Sequence, residues 1–73
     1  MTKTVTELKV RNYVLDELEN ATKYPDNALG YRTMAYGAVF FASNYLFDKY
    51  NQELADWWDK EVLPLFNALI RGR

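Results

Sequence analysis

Neither cysteine nor histidine occurs in the 73 residues of this chain. Without cysteine there is no disulfide, no thiolate nucleophile and no sulfur ligand for zinc; without histidine the commonest general base and metal ligand is missing too. Disulfides and structural zinc are also the supplements that small domains most often add to a thin core, so this one must rely on packing or on association. Basic runs are equally scarce, none exceeding the terminal Arg71-Gly72-Arg73, and the net charge is −1. That balance argues against nucleic acid as a direct partner, because such binding needs a clustered basic face. The opening MTKTVTELKV holds no apolar h-region, so no secretory signal is expected and a cytoplasmic location is.

A membrane-length apolar run is absent as well. The longest uncharged stretch, Thr33 to Phe47, has 15 residues and is flanked by Arg32 and Asp48. As a helix it would reach about 22 Å, short of the roughly 30 Å of hydrocarbon that a span must cross. No membrane partner is expected.

Aromatic side chains are what the chain has in quantity: six Tyr, four Phe and two Trp. Each can bury about 150–250 Å², which matters in a domain that hides only about 60% of its unfolded surface. With no repeat or linker, and one strong break at Tyr24-Pro25-Asp26-Asn27, residues 1–73 read as a single helical domain.

Three segments carry helical periodicity. In the first, from about Val5 to Thr22, Leu8, Val10, Val14, Leu15, Leu18 and Ala21 share a face. Thr4 and Glu7 have capping-box spacing, and Arg11 falls inside the apolar stripe, where its stem is expected to snorkel to water. The second should start from an Asp26 or Asn27 cap and run to about Tyr50; it is apolar nearly all round, with Phe40 placed in the core. On that placement Phe40→Ala should cost about 3–5 kcal/mol. The third runs from an Asn51 cap to about Ile70, with Leu54, Trp58, Val62, Leu65 and Leu69 on its main face and Pro64 inside it. The apolar face keeps its phase across Pro64, which predicts a kinked continuous helix rather than two. The expected fold is all-α, an antiparallel three-helix bundle whose third helix is kinked or broken near Pro64.

Candidate chemistry is sparse. Glu53, Asp56 and Asp59, and again Asp16, Glu17 and Glu19, gather carboxylates, but neither set has the E-x-x-H spacing of di-iron bundles or the D-x-[DN]-x-[DN]-G pattern of calcium loops. Gly30 and Gly37 lack the context of a phosphate loop. No catalytic, cofactor-binding or metal-binding residue is assigned, and the chain reads as non-enzymatic.

The apolar surplus of the second helix points elsewhere. A bundle helix normally hides one stripe, so further burial against a protein partner is expected, first of all in a homodimer using apolar surface of helices two and three. Small residues at Gly30, Ala35, Gly37, Ala38, Ala42 and Ser43 would admit a close approach. Trp57, set among Glu53, Asp56, Lys60 and Glu61, Leu63 and Ile70 on the second flank of helix three, and Phe66 at the edge of its main face are the candidate contact residues. A second expectation is a small inhibitor or accessory factor of a phage or mobile element, whose acidic faces on helices one and three would cover a basic surface of a nucleic-acid-processing protein. Salt separates the two, since apolar association persists at high ionic strength and acidic mimicry fades.

Overall fold

The computed structural model describes residues 5–72. Helix α1 spans Val5–Lys23, a 3-10 turn covers Pro25–Asn27, α2 spans Ala28–Tyr45, and α3 occupies residues 52–71. There is no strand among the described residues. Pro25 sets the turn between α1 and α2, and the Ala28 N–H donates to the Pro25 carbonyl, so the turn feeds directly into α2. Asn27 sits at the N-cap of α2 without a side-chain cap bond, which replaces the expected side-chain cap with backbone bonding from the turn. Of the capping box proposed for α1, Thr4 lies outside the described residues.

Helix α2 ends at Tyr45, five residues before the expected stop. Asn51 accounts for the early end. Its backbone N–H donates to the Ser43 carbonyl at 2.9 Å, closing one of the carbonyls that a helix C-terminus leaves open. Its side-chain Oδ1 accepts from the Leu54 N–H at 2.9 Å, the N-cap of α3 that the sequence predicts. Its Nδ2 donates to Glu7 Oε1 on α1 at 2.9 Å. One residue therefore ties the end of α2, the start of α3 and the first turns of α1. At the other end of the α2–α3 pair Arg32 donates to Asn67 Oδ1 at 2.8 Å, which makes those helices antiparallel.

Helix α3 consists of an α segment Gln52–Trp57, a π turn Trp58–Val62 and an α segment Leu63–Arg71. The Leu63 N–H reaches back five residues to the Trp58 carbonyl. This wide turn stands directly before Pro64, whose missing N–H and bulky ring would otherwise break a regular ladder. The predicted joint is thus a register change within a continuous helix. It also corrects the predicted face: the extra residue in the turn keeps Leu54, Trp58, Val62 and Phe66, four apart, on one buried line. A regular helix would have drifted to Leu65, which instead lies exposed.

Between α1 and α2 the buried positions recur every seven residues: Glu7, Val14 and Ala21 on one helix, Ala28, Ala35 and Ala42 on the other. A seven-residue repeat keeps a seam facing its neighbour over successive turns, and alanines in the seam let the backbones approach. The largest wholly enclosed side chains are Phe66, Leu54, Val14 and Val62. Phe40 is not among them. It is 51% exposed, as are Tyr36, Phe41 and Tyr45 at similar or greater levels, so the core assignment of Phe40 is corrected. Leu8 and Leu15 likewise face outward from α1.

Candidate interaction surfaces

The inward face of α2 is built from Ala28, Ala35, Val39, Ala42 and Ser43, all buried. Three of the six small residues singled out in the sequence, Ala35, Ala42 and Ser43, are therefore used inside the chain. The two glycines are not. A Cβ built on Gly30 or Gly37 would meet no atom within 4 Å, so nothing in the fold requires glycine at either position. Glycine inside a helix costs about 1 kcal/mol relative to alanine.

The outward face of α2 carries its large side chains. Leu29, Met34, Tyr36, Phe40, Phe41 and Tyr45 are each half or more exposed, and they flank the line through Gly30 and Gly37 on both sides. No charged side chain interrupts α2 beyond Arg32. Rings stack along the face: Phe41 and Tyr45 lie 5.4 Å apart between centroids, Tyr36 and Phe40 6.0 Å. Tyr36 continues to Trp58 at 5.9 Å and Trp58 to Phe66 at 5.8 Å, so a ladder of four rings runs from solvent to the core. Among the described residues no helix is long and apolar enough to cross a membrane.

The four contact residues named from the sequence do not form one patch. Phe66 is 0% exposed and belongs to the core, which removes it as a surface anchor; the π turn is the physical reason. Leu63 and Ile70 are half-buried and pack against that core. Leu63 also lines an open groove with Arg32, Thr33, Tyr36, Asp59 and Asn67, on the α2 side of α3. Trp57 lies on the α1 side, where the Arg11 guanidinium sits 4.7 Å from its ring centroid. Its environment is the polar one the sequence suggests, a shallow depression with Glu53, Asp56, Lys60 and Glu61.

Arg11 does not snorkel freely. Its Nη2 stands 2.9 Å from Glu7 Oε2 and 3.6 Å from Glu53 Oε1, and its Nε donates to Glu7 Oε2 at 3.0 Å. Only 13% of the Arg11 side chain and 8% of the Glu7 side chain are accessible. Lost hydration is compensated here by charge-assisted bonds and by the Trp57 ring face. The carboxylates that cluster in the sequence have separate partners: Asp56 accepts from Gln52, Glu19 pairs with Lys23, and buried Glu17 accepts from Asn20 while its Oε2 has no partner among the described residues.

The signal for the inner face of α2 was present in the sequence as the alanine period 21, 28, 35, 42. The π turn had no comparable signal beyond Pro64 itself. No family model, curated protein or solved structure matches the chain.

Proposed function

We propose that this protein is a non-enzymatic helical interaction module that pairs with a second copy of itself through the outward face of α2. The observation that supports it is the inversion of side-chain size on that helix: alanines and Ser43 inside, Leu29, Met34, Tyr36, Phe40, Phe41 and Tyr45 outside. A side chain of this size exposes about 200 Å² when free, so six half-exposed ones offer about 600 Å² per subunit. Two subunits would bury at most about 1,200 Å², the lower end of the range for stable interfaces.

A second copy suits this face better than a charged partner. In a two-fold interface each patch meets itself, so a charge near the axis would meet its like. Between Thr33 and Tyr45 there is none. Gly37 stands at the middle of α2, and two such helices crossing there would approach closely, with the rings of each lying beside the glycine line of the other. In this reading the contact residues of α3 are secondary: Leu63 and Ile70 border the pairing, and Trp57 stays with Arg11. A cytoplasmic setting is part of the same proposal.

Sedimentation equilibrium across a dilution series, at low and high salt, tests it. The expected result is a dimer that persists at high salt and is lost in Phe41→Glu, with helical circular dichroism unchanged. A monomer throughout the range contradicts self-pairing. Association that disappears at high salt would favour the acidic faces of α1 and α3 instead.

A further inference from the structure

Where α2 meets the connection to α3, Tyr36, Phe40, Tyr50 and Trp58 wall a cavity of about 120 Å³. A water molecule occupies roughly 30 Å³, so the space holds a chemical group of a few heavy atoms and not a whole drug-sized ligand. Ser43, Asn44 and Asp59 also line it, and no lysine or arginine does.

The one carboxylate of the lining is Asp59. The Asp59 side chain forms no ion pair or hydrogen bond among the described residues. Asn44 commits its amide nitrogen to the Phe40 carbonyl at 2.9 Å, which leaves its oxygen as the free end. Ser43 is 2% exposed, and its hydroxyl oxygen, itself enclosed, has no hydrogen-bond partner among the described residues. Aromatic rings, the Asp59 carboxylate and the Asn44 oxygen are all attractive to a cation, because ring quadrupoles draw positive charge to the face and the carboxylate supplies the opposite charge. We propose that this cavity binds a methylated ammonium group. A primary ammonium is a strongly hydrated point charge that asks for three acceptors, whereas a methylated one sheds water readily and presents C–H groups to the rings.

The proposal does not rest on the pairing of α2, but the two share Tyr36 and Phe40 and would compete for those rings. Tyr50 and Asp59 lie outside α2, so substitutions there leave the pairing face intact and separate the two readings. The experiment is a titration of the full chain with choline, followed through the Tyr50 ring and Trp58 indole signals by two-dimensional NMR, with the uncharged isostere 3,3-dimethylbutan-1-ol as comparison. Choline should shift both signals saturably and the alcohol should not. Tyr50→Ala and Asp59→Asn, both exposed side chains, should each weaken choline binding about three-fold or more while melting like the parent. Cosedimentation with phosphatidylcholine vesicles then tells the source: recruitment supports a choline-lipid headgroup, and its absence alongside choline binding supports a free small cation. No saturable shift, an equal shift by the alcohol, or variants that bind choline like the parent would overturn the site.

Discussion

Helix α2 shows opposite rules on its two faces. Inside, Ala28, Ala35 and Ala42 give little apolar area but allow α1 to lie close; outside, six large apolar side chains remain half or more exposed. Helix α3 follows the ordinary rule, enclosing Leu54, Trp58, Val62 and Phe66 and leaving Asp59, Lys60 and Glu61 in water. Hydrophobic burial within one chain explains α3. It does not explain α2, where exchanging the faces would bury more. The difference teaches that α2 serves two contacts, one intramolecular and tight, the other broad and facing away from the chain.

The comparison can be broken most severely at its buried rings. Phe66→Ala should cost about 3–5 kcal/mol in chemical denaturation, because it leaves a cavity beside Trp58. Phe41→Ala, measured at concentrations too low for pairing, should cost well under half as much. Equal losses would mean that the outer ring is also structural. Ala35→Leu attacks the inner seam from the opposite direction, by overfilling it: a loss of about 1–3 kcal/mol is expected from the same measurement, and an unchanged midpoint would show that the seam is loose.

Asn51 probes the junction that fixes where both faces end. Asn51→Ala removes the cap of α3, worth about 1 kcal/mol, and takes a donor from Glu7 as well. Asn51→Asp keeps a capping oxygen but sets a carboxylate against Glu7. The thermal melt of the aspartate variant should fall at least as far as that of the alanine variant, since the lost Glu7 contact becomes a repulsion. Recovery by aspartate would reduce the role of Asn51 to the cap alone. The smallest effect is also the most diagnostic in sign: Gly37→Ala should raise monomer stability by about 1 kcal/mol, through helix propensity, and weaken pairing through its added methyl. A variant that gains in both would remove the reason for a glycine there.

Much of this architecture was legible in the sequence because it depends on local rules. The Pro25 turn, the Asn51 cap, three helices and an irregular third helix at Pro64 each follow from one or two residues. The inner face of α2 was less legible, since apolar residues of all sizes surround that helix and a hydrophobic pattern alone cannot choose a side; only the alanine period does. Phe66 and Leu65 exchanged roles because one added residue in the π turn rotates everything after it, and the sequence marks the presence of Pro64 but not how the turn before it responds. Arg11 was read as a surface stem because, although Glu7, four residues back on the same helix, is a local partner, only the fold brings Glu53 and Trp57 of α3 against it. The ring-walled cavity was illegible for the same reason, as it joins Tyr36 and Phe40 to Tyr50 and Trp58 across the connection.

A chain without cysteine allows the central claim to be tested by placing one. With Gly37→Cys, two thiols at a helix crossing would lie within the roughly 4.4–6.8 Å Cα separation that a disulfide spans, and Asp16→Cys on the exposed side of α1 serves as the reference. The added side chain weakens pairing, but a disulfide traps the pairs that form, so under mild oxidation at micromolar concentration clearly faster dimer linkage is expected through Cys at position 37 than through position 16, read on a non-reducing gel. Equal rates at the two positions would show that the outward face of α2 does not meet its own copy.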